Sequence, residues 1–265
     1  MSEIAVVTGA ARGIGFAVAE ELVARGYRVL VTDLDAEAAQ AAAERLGHGC
    51  WAVAQDVADL DGHRAVADEA ATRGRLTVWV NNAGVLFAGD AWTHTDAQVE
   101  TILDVNIRGV IGGCRAAIDA MEDGGRILNI ASISALTPVP GLALYAATKA
   151  AVLSFTTSLQ GDLDHAGLEI RVRALCPDVV GTAMVEDVAH DSGAAMLFSG
   201  PAPIGTAEVA RAGLDLLDSH QVFRVIPRWR GPVARSAALA PALGLKALAA
   251  MRTIGDRRQR RNRSR

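Results

Sequence analysis

This 265-residue chain is poor in several residue types, and each shortage removes a class of protein. Lysine and tyrosine occur twice each, as Lys149 and Lys246, and Tyr27 and Tyr145, against 24 arginines. That arginine excess reads as genomic base composition more than as function. Three cysteines, Cys50, Cys114 and Cys176, with no C-x-x-C pair, exclude a disulfide framework and fit reduced thiols in a cytoplasmic setting. No run of about twenty apolar residues occurs, so no membrane span is expected, and the start has no charged-then-apolar leader pattern. The six histidines are dispersed without ligand spacing, so no metal site is expected. Aromatics make up only 4 %, which leaves the core to Ala, Val, Leu and Ile. The net charge of −4 is uneven: seven arginines and one aspartate from residue 252 onward carry +6, leaving −10 on the rest. An acidic body argues against nucleic-acid binding.

What the chain does contain is an alternation of short Val/Ile/Leu runs with helical stretches. Strands are expected at 4–8, 28–32, 50–55, 77–80, 126–130, 170–175 and 222–226. Helices are expected at 13–25, 36–46, 145–166 and 207–217, with others between the strands. Continuous apolar strands separated by helices predict an α/β fold: one doubly wound, mostly parallel seven-stranded sheet covered on both faces. Residues 1–227 are expected to form this domain and 228–265 a C-terminal extension. Residues 183–205 lack periodicity, hold two prolines and follow a strand end, which suggests a substrate lid or a disordered loop.

Tyr145 and Lys149 lie four apart, so on a helix they share a face. An adjacent ammonium favours the phenolate and brings a tyrosine towards useful acid–base range, although such a pair also decorates ordinary amphipathic helices. Thr8-Gly9-Ala-Ala-Arg12-Gly13-Ile14-Gly15 joins the first strand to the first helix, where glycines let backbone N–H groups approach a pyrophosphate. Its spacing differs from G-x-G-x-x-G, and a plain strand–helix turn is the bland alternative. Asp33, ending the second strand, suits hydrogen bonds from an adenosine ribose and repels a 2′-phosphate, favouring NAD over NADP. Arg12 argues the other way, as a cation able to neutralise that phosphate. Ser132 alone would read as a cap serine and Asn106 as a polar residue disturbing a helix.

T-G-x-x-x-G-x-G at 8–15, Asn81-Asn82-Ala83-Gly84, Asn106, Ser132 and Tyr145-x-x-x-Lys149 together resemble the short-chain dehydrogenase/reductase family, over roughly residues 3–182. The resemblance implies hydride transfer between nicotinamide and a carbonyl or carbinol carbon. Tyr145 would be the acid/base, and Lys149 would lower its pKa and bind the nicotinamide ribose. Ser132 would steady the substrate oxygen, and Asn106 would hold a water relaying protons from Lys149. It further implies a cofactor set of Gly9, Arg12, Gly13, Ile14, Gly15, Asp33, Leu34, Asp56, Val57, Asn82, Ala83, Gly84, Pro177, Val180 and Thr182, with Asn81 bracing the sheet. Asp178 departs from the family's usual glycine; aspartate tolerates left-handed backbone, and its carboxylate would suit a positively charged nicotinamide.

Candidate substrate contacts are Ser134, Leu136, Val139, Leu142, Leu86, Met184, Val188, Met196, Leu197 and Phe198, mainly apolar and without paired arginines. A hydrophobic secondary alcohol or ketone follows. Three rivals stay open: an NADPH-dependent ketoreductase of acyl or polyketide-like substrates, a non-catalytic nucleotide-binding scaffold, and a sugar-nucleotide epimerase or dehydratase. The epimerase relatives carry T-G-x-x-G-x-x-G and a larger C-terminal domain. Family resemblance implies a homo-oligomer, tetramer or dimer. The tail, with Pro241 and Gly244 interrupting helical propensity, reads as an arm over the pocket or a neighbouring subunit with solvated, disordered arginines. Its alternative is a peripheral membrane anchor.

Overall fold

The computed structural model describes residues 2–122, 124–239 and 241–263. Seven strands, β1 (Glu3–Thr8), β2 (Arg28–Asp33), β3 (Trp51–Ala54), β4 (Arg75–Asn81), β5 (Arg126–Ile130), β6 (Arg171–Pro177) and β7 (Phe223–Ile226), form one sheet in the order β3-β2-β1-β4-β5-β6-β7. Every neighbouring pair is parallel. The expected strands are all present, within two residues at most ends.

The two-residue period of a strand divides the core into two layers. In β1, Ala5 and Val7 face helices α1 (Gly13–Ala24), α2 (Ala36–Leu46) and α8 (Thr206–Leu217). Ile4 and Val6 face α3 (Leu60–Ala71), α5 (Gly109–Ala120) and the long α6 (Ala143–Ala166). Both faces being covered, the strands are apolar without alternation. The chain reverses direction across the sheet between β1 and β4, and in such sheets ligands bind at the carboxyl ends beside that switch point.

Local signals set the helix ends. Asp35 caps α2 by accepting from Ala38 N at 3.0 Å. Thr95 and Gln98 form a reciprocal capping box on α4 (Asp96–Leu103). Gly167, at φ 71°, ends α6. Between α4 and α5 the chain makes one π-helical turn, Asp104–Arg108, with Asn106 at its centre.

The region expected to be a lid or disordered is built from short pieces: α7 (Ala183–Asp187), a 3₁₀ segment Ser192–Phe198, and a parallel bridge from Val180 to Ile204. Pieces of five and seven residues with different pitch leave no single period to read. The tail differs from expectation more. It forms α9 (Arg230–Leu239) and α10 (Pro241–Arg263), so its arginines up to Arg263 lie in a helix; Ser264 and Arg265 fall outside the described residues. Pro241 does not interrupt this helix, because it occupies the first helical position, where a missing N–H costs nothing. Among the described residues no helix is long and apolar enough to cross a membrane.

Candidate active site at the carboxyl edge of the sheet

A cleft of about 1140 Å³ runs along the carboxyl ends of the strands. One end is the glycine turn. Gly9 and Gly13 hold φ of 61° and 63°, and a Cβ on Gly15 would overlap the Gly9 carbonyl and the Asn82 amide. Arg12 starts α1 without a side-chain cap, and the first turn holds no acidic residue. The helix therefore presents its free N–H groups to the cleft at Gly13 and Ile14. Asp33 Oδ2 accepts from Ala11 N at 3.1 Å and Oδ1 from Asp35 N at 3.3 Å, tying the carboxylate to the turn. Leu34, Asp56, Val57, Asn82, Ala83, Gly84, Pro177, Val180 and Thr182 also line the cleft, so the expected cofactor residues are brought together there except Gly15, which is buried beneath the turn against Gly9 and Asn82. An uncapped helix start, a glycine cradle closed to side chains and a carboxylate beyond it fit a nicotinamide dinucleotide.

Asn81 braces the sheet as expected: Nδ2 donates to Asn129 Oδ1 at 2.8 Å, and Oδ1 accepts from Trp79 Nε1 at 2.8 Å. Asn82 does similar work. Its Nδ2 donates to the carbonyls of Thr8 and Gly9, both at 2.9 Å, so its side chain shapes the glycine turn.

At the other end, the first turns of α6 bring Tyr145 and Lys149 against Ser132, which follows β5. The Tyr145 phenol faces Ser132, whose side chain favours the phenolate, and Lys149 Nζ lies 5.6 Å from the tyrosine ring centre. Lys149 is buried, and Nζ donates to the Ile130 carbonyl at 2.9 Å. The expected lowering of the phenol pKa is not what this geometry gives. Burial drives Tyr145 up to about 12, against a smaller downward pull from Ser132, and burial drives Lys149 down to about 8. The ammonium sits beside the ring and is held by a backbone carbonyl, so desolvation outweighs its attraction for the phenolate.

Asn106, fully buried, is committed to structure. Nδ2 donates to Val85 O at 2.9 Å and Thr148 Oγ1 at 3.1 Å, and Oδ1 accepts from Val85 N at 2.9 Å. Thr148 Oγ1 in turn donates to the Tyr145 carbonyl at 2.8 Å. Asn106 thus fastens the Asn82–Val85 loop to the helix that carries Tyr145.

Leu86, Ser134, Val139, Leu142, Met184, Met196 and Leu197 line the cleft as expected. Leu136, Val188 and Phe198 do not. Leu136 packs against the core behind the site, Val188 caps the end of α7, and in the 3₁₀ segment Met196 and Leu197 line the cleft while Phe198 does not. The Ser134 hydroxyl is buried with no hydrogen-bond partner among the described residues.

Two sets of lining residues were not named from the sequence, although the tail was expected as an arm over the pocket. Arg45, stacked 4.2 Å over the Phe16 ring, lines the cofactor end. From the tail, Arg230, Val233, Ala234, Ser236, Gly244, Leu248 and Met251 line the substrate end. Their one sequence signal is the apolar spacing of Gly244, Leu248 and Met251. Asp178 also reads differently: His48 is the sole non-glycine at positive φ among the described residues, so Asp178 needs no left-handed backbone. Its carboxylate instead forms an ion pair with Arg230, Oδ2 to Nε at 2.6 Å, with side chains 9 % and 18 % exposed.

These features match known proteins. The family model for short chain dehydrogenases matches residues 3–193. Among curated relatives, 2-(R)-hydroxypropyl-CoM dehydrogenase of Xanthobacter autotrophicus is 39 % identical over 196 residues, covering 70 % of this chain and 78 % of its own. The 3-beta-hydroxysteroid dehydrogenase of Comamonas testosteroni is 36 % identical over 186 residues, covering 69 % and 73 %. The (S)-acetoin-forming diacetyl reductase of Staphylococcus aureus is 40 % identical over 195 residues, covering 71 % and 75 %. A crystal structure of a short-chain dehydrogenase/reductase from Burkholderia phymatum in complex with NAD superposes with a TM-score of 0.83, at 27 % identity, over 91 % of this chain and 95 % of that one. The fold and the cleft define a dinucleotide-linked oxidoreductase. More particularly, the chain belongs to the short-chain dehydrogenase/reductase family and is an enzyme acting on CH–OH groups.

Proposed function

We propose that this enzyme interconverts an apolar secondary alcohol and its ketone with NAD, and that Tyr145 exchanges the proton with the substrate oxygen. The observation that carries the reading is the convergence of Ser132, Tyr145 and Lys149 at the inner end of a cleft whose outer end fits the dinucleotide. NAD, when bound, supplies the hydride acceptor or donor. The residues supply orientation and a proton. A phenol held near 12 keeps its proton at neutral pH and is primed to give it to an oxygen gaining charge, the direction of ketone reduction. Oxidation requires that proton to leave first, and the Lys149 ammonium, charged below about 8, is the nearby cation that steadies the phenolate. The Ser132 hydroxyl donates to the same substrate oxygen. The unpaired Ser134 hydroxyl offers a further bond to a second substrate oxygen. Asn106 acts first as a positioning residue; its proposed water relay has only the remaining Oδ1 lone pair and the backbone carbonyl to use.

Two arguments favour an apolar substrate. Leu86, Val139, Leu142, Met184, Met196 and Leu197 form the walls, and the arginine at this end is neutralised by Asp178. The named relatives act on secondary carbinols or a diketone, which fits the same reaction type. NAD is preferred over NADP because Asp33 stands where a 2′-phosphate would sit, although Arg12 and Arg45 also face that end.

The test is Tyr145→Phe, assayed with NAD and a panel of lipophilic alcohols and ketones. The expected result is a fall in kcat of about 10²- to 10⁴-fold with NAD affinity unchanged. A variant that kept full activity would remove the assignment, and a wild type inert on the whole panel would remove the substrate class.

A further inference from the structure

Gly244, Leu248, Met251, Gly255 and Gln259 recur at four, three, four and four residues, so they share one face of α10. Burial follows the stripe: Leu248, Gly255 and Gln259 are buried and Gly244 and Met251 half-buried, whereas Leu245, Ile254 and Arg257 on other faces are exposed. The stripe has two halves. Gly244, Leu248 and Met251 line the cleft. Gly255, Arg258 and Gln259 meet residues 189–200.

The second half is a close fit. A Cβ on Gly255 would overlap the Ala195 carbonyl and come within 3.4 Å of Ser199 N. Gln259, 4 % exposed, spends both amide hydrogens on carbonyl oxygens of that segment, Ala189 and Asp191, at 2.7 Å each. Arg258 Nη1 donates to the Gly200 carbonyl at 2.6 Å. On its other side the segment rests backbone to backbone on two more loops. Gly89 N donates to Gly141 O at 2.9 Å, and a Cβ on Gly193 would overlap Gly89 N.

We propose that α10 is the wall that sets the size of substrate this enzyme accepts, with Leu248 and Met251 as specificity-determining residues, and that Gly255 and Gln259 strap the 189–200 segment in place behind them. The occupant is the apolar part of the substrate, which rests on the reading above of the cleft as a secondary-alcohol site. With the segment pinned on both faces, the space near Leu248 and Met251 is bounded by side chains of fixed helices, and their volume decides what fits.

The experiment has two arms on the full chain. In the first, dissociation constants and kcat/KM are measured for 2-alkanols of increasing length with NAD bound, for wild type, Met251→Ala and Met251→Trp. The optimum is expected to move about two to three methylenes longer in the alanine variant and shorter in the tryptophan variant, with NAD affinity unchanged. A profile identical in all three, or no binding of any member while small polar carbonyls are turned over, overturns the wall. Binding that shifts with the variants in a protein that turns over none of these alcohols keeps the wall and sinks the proposed reaction instead. In the second arm, amide exchange is read in Gly255→Ala and Gln259→Ala. Residues 193–199 are expected to exchange at least about tenfold faster, with β1 and β4 unchanged. Unaltered exchange in both variants overturns the strap.

Discussion

Asp178 and Arg230 face each other largely out of water, and a pair of this kind is fragile when half of it is removed. Asp178→Asn leaves the guanidinium buried without its counter-charge, so the unfolding free energy is expected to fall by about 3 kcal/mol in denaturant titration. The double variant Asp178→Asn, Arg230→Met should recover most of that loss, since neither charge then remains. At the far end of the cleft, Asp33→Asn removes the repulsion of a 2′-phosphate while leaving Arg12 and Arg45 in place. The ratio of kcat/KM for NADP to that for NAD is expected to rise by about tenfold or more in steady-state assays. At this scale the sequence was readable wherever spacing alone defines geometry. Tyr145 and Lys149 had to share a helix face, and Asp33 had to end its strand. It was not readable where burial decides, and so the phenol moves up instead of down. Arg230, 52 residues away from Asp178, carried no local sign of its partner.

Among the elements, the π-helical turn at Asp104–Arg108 is where a buried asparagine joins two parts of the site. Removing its side chain in Asn106→Ala orphans the Val85 N–H and the Val85 carbonyl together. The expected cost is about 2–4 kcal/mol of stability in denaturant melts. Because the loop that follows β4 loses its tie to α6, catalysis should fall with little change in KM, and Asn106→Asp should not rescue the melt, since a buried carboxylate cannot donate to the Val85 carbonyl. The strands and the major helices were legible because a two-sided parallel sheet writes itself as short unbroken apolar runs between helices. The π turn was not, since it differs from an α-helix by one residue of register and uses the same residue types. Pro241 misled for a related reason: the first turn of a helix and its interior treat proline in opposite ways.

For the whole molecule, the buried titrating groups fix how stability follows pH. Lys149 is displaced from 10.5 to about 8, so between those values the unfolded chain binds more protons and stability rises with pH. Cys114 and Cys176, moved from 9.0 to about 12, and Tyr145, moved from 10.0 to about 12, hold protons in the folded state that the unfolded chain releases. Their contribution is lost as pH climbs above about 9. On the acid side His63, buried and pushed down, makes the fold lose stability as pH drops below 6.5. Thermal melts from pH 5 to 11 are expected to peak near pH 9, with the rise between 8 and 9 missing in Lys149→Met. At this scale an arm over the pocket was legible in the tail, but its continuous helix and the residues it turns inward were not. Its inward residues are two glycines, a leucine, a methionine and a glutamine, which look ordinary until the surface they cover is known.

The meeting of Gly89, Gly141 and Gly193 sets a limit on how this enzyme evolves. Three separate stretches of chain touch there through bare peptide planes: a carbon added at Gly141 would run into the Gly193 carbonyl, and one added at Gly193 would run into the Gly89 N–H. Variation that retunes the catalyst must therefore accumulate on the opposite flank, where ordinary side chains trade bulk one at a time.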